Sequence, residues 1–157
     1  MADIVGDGMV KVGWVTTLSS LTSPTAVQIT AGVDLESFLT QDGLGVEPST
    51  AKVETAALNS TFSTERIGRG SAELALTFKN QGRANPPWTT FASRPTGFLV
   101  IRYGVSVSTD WAAAQRVNVW SCAAGDRHDL PYASNEVAKF MVPLHITAAP
   151  SIAATVA

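Results

Sequence analysis

Between Met9 and Thr17 the chain alternates: Val10, Val12 and Trp14 interleave with Lys11, Gly13 and Val15. That period of two predicts a half-buried strand. The next stretch runs from Ser23 to Gly32 and predicts a helix of about two turns, with Ser23 as cap, Pro24 at the first helical position and Gly32 closing it. Val33 to Thr40 predicts a second strand. Gln41 to Thr50 holds Asp42, Gly43, Gly45, Pro48 and Ser49, a density of turn residues that predicts an exposed loop, and Lys52 to Ala56 predicts a short edge strand after it. Ser71 to Lys79 alternates again, with Ala72, Leu74, Leu76 and Phe78 assigned to the core and Glu73, Ala75, Thr77 and Lys79 to the other face. After the prolines at 86 and 87 a short helix presents Trp88 and Phe91, three apart on one face. Phe98 to Arg102 fits a strand covered on both faces. Asp110 to Ala114 reads as a turn and Arg116 to Ala123 as a further strand. Glu136 to Thr147 is the longest expected strand, with Pro143 demoting part of it to an edge or bulge. From Ala148 to Ala157 the chain is apolar and uncharged.

Six or seven strands with one or two short helices define a mainly β protein, a β-sandwich or small barrel, because strands do not alternate here with long helices as in a βαβ sheet. With 157 residues the chain suits a single domain spanning 1–157, with an N-terminal arm 1–9 and a C-terminal arm 148–157. The N-terminus is acidic and broken by glycines, without the basic start and apolar run of a secretory signal, so the expected site of folding is the cytoplasm of the producing cell. Its longest apolar run, Phe98 to Ile101, is of strand length, far short of the ~20 residues of a membrane span, and membrane insertion is not expected.

Charge alters this picture most. Asp, Glu, Lys and Arg make up 15% of the chain while apolar residues reach 45%; an average globular protein has about 25% charged residues. Charge depletion of this kind marks subunit contacts, which resemble a core cut in half; a surface of Ser, Thr, Asn and Ala is the plainer alternative. The net charge of −2 argues against a nucleic-acid reader, which carries a basic face.

Candidate chemistry is sparse. Asp126-Arg127-His128-Asp129 puts a histidine between carboxylates, but a histidine ligand needs further ligands and support from elsewhere, and the only other histidine, His145, falls on an expected strand facing outward; the segment reads as a solvated turn. Cys122 is the sole cysteine, which excludes an internal disulfide, and it lies in an alternating strand behind Trp120 as a small buried hydrophobe. No glycine-bracketed nucleophile appears, and Gly6-Asp7-Gly8 and Gly43-Leu44-Gly45 lack the lysine and spacing of a phosphate loop. Arg66-Ile67-Gly68-Arg69-Gly70 is the one basic cluster, expected in a flexible inter-strand loop or an inter-subunit contact. No catalytic residue, metal ligand or cofactor site is expected. Trp88, Trp111 and Trp120 would be the stacking surfaces of an alternative reading, a carbohydrate-binding or capsid-decorating β-sandwich module.

Three stretches carry a resemblance: Ser23 to Leu35, then Thr96 to Gly104, then Asn135 to Phe140 running into Val142-Pro143-Leu144. In their order they resemble the major tail tube proteins of tailed bacteriophages, particularly the siphophage type infecting actinobacteria. The resemblance implies a structural virion protein of the tail: hexameric rings stack into a hollow tube that delivers DNA, and the subunit's sheet joins its neighbours' in a continuous barrel. It implies self-association, contacts with a tape-measure protein and with tail terminator and distal tail proteins, transient non-specific passage of DNA, and assembly in the host cytoplasm. Asp34, Glu36, Glu54 and Glu73 lie on expected strands and are the candidates to face the channel, where a lining that repels phosphates avoids gripping DNA; facing solvent or a neighbouring subunit is the alternative. Asp42, Leu44, Val46, Glu47, Arg66, Arg69, Ile152 and Val156 are the candidates for ring stacking or inter-subunit contact.

Overall fold

The computed structural model describes residues 1–157. In chain order the elements are strand β1 (Val10–Val15), helix α1 (Ala26–Thr30), strands β2 (Val33–Asp34), β3 (Leu39–Glu54) and β4 (Glu65–Lys79), helix α2 (Pro86–Thr90), and strands β5 (Thr96–Tyr103), β6 (Arg116–Ala124), β7 (His128–Asp129), β8 (Lys139–Ile146) and β9 (Ser151–Thr155). All pair antiparallel in one sheet of order β2-β1-β5-β6-β8-β4-β3, with β7 added on β8 and β9 on β6. The mainly β, barrel-like architecture with two short helices is thus the expected one.

The sheet rolls around the larger of two cores. Val12 and Trp14 from β1, Leu74, Leu76 and Phe78 from β4, Leu99 and Ile101 from β5, Trp120 and Cys122 from β6, and Phe140, Val142 and Leu144 from β8 meet in one buried cluster. Each such side chain contributes ~1.5 to 3 kcal/mol on leaving water. Helix α2 plugs this interior: Phe91 meets Trp14 edge-on at 5.0 Å and Phe78 at 5.9 Å, and Trp88 meets Phe140 edge-on at 5.0 Å. The aromatic pair expected on one face of that helix therefore serves as its anchor. A second core covers the outer face of β1, β5 and β6, where Val15, Val100, Val117 and Val119 pack under Ile29 of α1, Trp111, Ala154 and Val156. So β5 is covered on both faces as expected, and β1 is too, against the expectation of a half-buried strand.

Several boundaries move for identifiable reasons. Thr25, not Ser23, caps α1: its hydroxyl accepts from the Gln28 N–H while Gln28 Oε1 accepts from the Thr25 N–H, a reciprocal capping box. Ala31, not Gly32, is the C-cap, and Gly32 is needed instead because a Cβ there would lie 2.3 Å from the Trp14 carbonyl. The expected strand Val33 to Thr40 is cut to β2 by a turn over 36–38. The expected loop Gln41 to Thr50 is instead part of β3, whose 16 residues pair with the 15 of β4. Its turn residues are used differently: the register shifts between Leu39 and Leu44, where Asp42 and Gly43 form a bulge, and a Cβ on Gly43 would lie 2.3 Å from the Thr77 carbonyl. Pro48 is tolerated because β3 ends the sheet, where a missing donor costs little. Arg66 to Gly70 is likewise strand, not loop. The strand expected over Glu136 to Thr147 shortens to the 8 residues of β8. Pro143 sits between the β6 and β7 pairings of β8 and accepts a bond from the Gly125 N–H, a local edge inside the sheet.

The C-terminal segment is no free arm. Strand β9 pairs with β6, the Thr155 N–H donates to Thr22 and the Ala157 N–H to Pro24.

Candidate channel face and assembly surfaces

Alternation assigns each residue of β3, β4 and β8 to a face. Val46 lies opposite Leu74 toward the core, so their neighbours Glu47 and Glu73, directly opposite each other, point out. Gly45, Ser49, Ser71, Ala75, Pro143 and His145 share that outer face. The second core stops at β6, and an open groove of about 740 Å³ runs over Gly45, Glu47, Glu73, Ala75, Pro143 and His145. A row of short side chains carrying paired carboxylates is what the sheet leaves uncovered. Like charges directly opposite one another destabilise a strand pair by a few tenths of a kcal/mol up to ~1, so the local fold gains nothing from this arrangement.

Only one of the four acidic channel candidates lies there. Glu73 is on the face; Glu47, expected in a stacking loop, joins it because its segment is strand. Glu54 ends β3 opposite Glu65, out on the hairpin described below. Asp34 serves the fold: its carboxylate accepts from Trp111 Nε1 at 3.2 Å and lies 3.7 Å from Lys11 Nζ. Glu36 sits in the turn after β2, half-buried, with Oε2 out of water and without a donor.

Beside Asp34 the sheet buries two cations, Lys11 and Arg102, both against the Trp111 ring at 5.6 and 5.0 Å. Arg102 is 0% exposed and donates to the carbonyls of Ser106, Thr109 and Asp110 and to Gln115 Oε1. Burial pulls its pKa down, while Glu36, Asp34 and Asp110 act in the opposite direction. Four charge-assisted bonds of this sort tie the loop between β5 and β6 onto the second core. Composition gave no sign of this cluster.

The inter-subunit candidates divide. Leu44 and Val46 pack against the main core and Val156, 2% exposed, lies in the second, so these three are used inside the subunit. Alternation explains Val156: it extends the inward row that Ala154 begins on β9. Asp42 accepts from the Thr40 hydroxyl within the bulge. Ile152 is 47% exposed and borders a cleft between β9 and the base of the β3-β4 hairpin. Arg66 and Arg69 lie on the outer half of that hairpin, where every residue of β3 from Glu47 to Glu54 is exposed. Val53, Leu58, Phe62 and Ile67 are exposed on the same hairpin. Seven residues of strand beyond Glu47 extend roughly 20 Å at ~3.3 Å per residue. A two-stranded ribbon is marginal alone in water, and this one shows apolar and cationic side chains with nothing packed on them.

Elsewhere, Asp126 is held by Arg94 at 2.6 and 2.8 Å, Asp129 accepts from Asn80, and Arg127 stacks over the Trp88 ring at 3.9 Å while donating to the Trp88 carbonyl. The 126–129 segment thus ties loops together. Trp111 and Trp120, 7% and 3% exposed, offer no face for a sugar to stack on. No helix is long and apolar enough to cross a membrane.

Comparison with known proteins bears on these surfaces. A chain in the cryo-EM structure of the anti-feeding prophage (AFP) baseplate, 6-fold symmetrised, superposes with a TM-score of 0.62 at 10% identity, covering 96% of each chain, and so shares the fold. No curated protein sequence matches. The profile described as phage tail tube protein matches residues 1–157. The chain belongs to the phage tail tube protein family, and it is a structural component of the phage tail.

Proposed function

We propose that six copies of this chain close into a ring, that rings stack into a hollow tube, and that DNA passes along the tube into the host cell. One observation carries the reading: the sheet is covered on both faces over β1, β5 and β6, whereas over β3, β4 and β8 only the inner face is covered and the outer face is left bare. The bare face lines the channel, with Glu73 and Glu47 its acidic groups. Short side chains keep that wall smooth, and carboxylates repel phosphates, so a passing duplex is not held.

Closure follows from the edge. Strand β3 ends the sheet with one side of its backbone unpaired, a template that aggregates unless it is covered. Pairing with the neighbouring copy uses the same groups to build the ring. The 15% charge content fits a surface satisfied by other copies. Sixfold closure is supported by the fold shared with the 6-fold symmetrised baseplate component. In the virion the ends of the tube meet the terminator and distal tail proteins, the tape-measure protein occupies the channel before DNA does, and assembly takes place in the host cytoplasm.

Negative-stain microscopy of the purified protein tests this directly. Hollow filaments with six-fold end views are expected as concentration rises; a protein that stays a dispersed monomer at every concentration, with or without other tail proteins, refutes it.

A further inference from the structure

Asp-Gly occurs twice in this chain, at Asp7-Gly8 and at Asp42-Gly43. In that dipeptide the backbone nitrogen of the glycine can attack the side-chain carboxyl carbon of the aspartate, since no Cβ obstructs the approach and the glycine backbone turns freely. Whether the ring closes depends on the surroundings, and the two copies differ. Asp7 and Gly8 are exposed in a turn ahead of β1. Asp7 makes no ion pair, the Gly8 N–H donates to nothing, and a Cβ on Gly8, whose φ is +69°, would meet no atom within 4 Å. The turn is held through the carbonyls of Gly6 and Gly8, which accept from the N–H groups of Met9 and Val107. Nitrogen and carboxyl carbon are therefore both free to meet.

Asp42-Gly43 is pinned. The Asp42 carboxylate accepts from the Thr40 hydroxyl at 3.2 Å, and a Cβ on Gly43 would lie 2.3 Å from the Thr77 carbonyl oxygen and 3.0 Å from the Thr40 nitrogen. Backbone packed that closely cannot rotate into a ring without opening the bulge. Asparagine undergoes the same closure, but the exposed Asn59 at the hairpin turn precedes Ser60, whose N–H already donates to the Ala57 carbonyl at 2.9 Å. Of these three places only Asp7-Gly8 has a free nucleophile, a free carboxyl and room to move.

We propose that Asp7 is a site of spontaneous isoaspartate formation, and that the product is an acceptor for enzymes that methylate isoaspartyl carboxylates. The Gly8 nitrogen bonds to Asp7 Cγ, a side-chain oxygen leaves as water with the amide proton, and a succinimide closes. Water then adds at the main-chain carbonyl carbon of Asp7 and breaks its bond to the Gly8 nitrogen, which takes back a proton. The chain now runs through Asp7 Cβ and Cγ, the mass is unchanged, and the former main-chain carbonyl is a free carboxylate. An oxygen of that carboxylate accepts a methyl group from a sulfonium donor such as S-adenosylmethionine, whose sulfur keeps the electron pair of the broken bond. One methylene thus enters the backbone where the N-terminal segment meets β1, beside the groove of about 640 Å³ that Gly6, Asp7 and Gly8 border. Neither core includes these residues, so the fold is untouched while the segment is re-aimed.

Trypsin separates the two sites, because cleavage after Lys11 and Lys52 leaves one Asp-Gly in each of the peptides 1–11 and 12–52. The purified protein is aged at neutral pH and digested, and isoaspartate is read at each site by electron-transfer fragmentation. Labelled methyl transfer from S-adenosylmethionine by a purified isoaspartyl methyltransferase gives a second readout. Isoaspartate is expected to form at Asp7 at least about tenfold faster than at Asp42, the ratio that a barrier difference of ~1.4 kcal/mol produces. In urea the two sites should form it at similar rates, since only the fold distinguishes them. Asp7→Glu, which would have to close a larger ring, should lose the methyl label. Equal rates at Asp7 and Asp42 in the folded protein overturn the assignment, as does an aged protein with no isoaspartate at Asp7. An undiminished label in Asp7→Glu overturns Asp7 as the methyl acceptor.

Discussion

Reversing the charge of Glu73 should separate folding from function. Glu73 faces Glu47 across the β3-β4 pair, and neither makes an ion pair. Directly opposite residues on a strand pair have Cβ atoms ~5 Å apart, and like charges at that spacing destabilise by a few tenths of a kcal/mol in water and salt. Glu73→Lys exchanges that repulsion for an attraction of similar size, a swing of ~1 kcal/mol in favour of the fold once exposure is allowed for. For a protein of this length the gain appears as a rise in melting temperature of ~2 to 4 °C. Six lysines then replace six carboxylates around each proposed ring, and phosphate contacts that salt only partly weakens replace repulsion. Infectious titre and DNA release should fall although tubes look normal in the microscope. Glu73→Gln should give about half the stability gain and a milder defect. A Glu73→Lys protein that melts lower than the parent refutes the opposed-carboxylate geometry; unchanged ejection refutes the channel assignment.

Two further outcomes test the packing. Arg102→Met removes a donor to three carbonyls of the β5-β6 loop, those of Ser106, Thr109 and Asp110, and uncovers Trp111, so urea unfolding should show a loss of ~3 to 5 kcal/mol, and a loss below ~1 would mean the loop holds itself. Burial pushes the Cys122 thiol from its ordinary 9.0 up to about 12. The unfolded chain therefore ionises first: the contribution of this thiol is intact below pH ~9 and is lost at ~1.4 kcal/mol per pH unit as pH rises toward 12. Unfolding free energies at several pH values above 9 should fall less steeply for Cys122→Ala than for the parent; parallel slopes contradict the burial.

Which features showed in the sequence follows from what alternation reports. Leu74, Leu76 and Phe78 were legible because large apolar side chains on one face and short or charged ones on the other leave a single register for the strand. The hairpin beyond Glu47 was not, since it is exposed on both faces and has no inside for a pattern to mark. Gly43, Gly45, Pro48 and Ser49 at its base then look like a loop, although on an edge strand each is tolerated, and Gly43 is required by the bulge. Read as a loop, that stretch hides the opposed carboxylates, because Glu47 meets Glu73 only after the bulge has reset the register. Asp34 went astray for another reason: the indole that claims it is 77 residues away, and no local pattern encodes such a partner. In the last ten residues a signal was present but weak, as Ala154 and Val156 alternate inward among residues too small to stand out. The shortage of charge, by contrast, is visible in composition alone, where it fits the proposed self-assembly and equally a surface of Ser, Thr, Asn and Ala. Charge is missing from the whole surface at once, and a missing charge leaves the same trace in the sequence whichever strand it would have occupied.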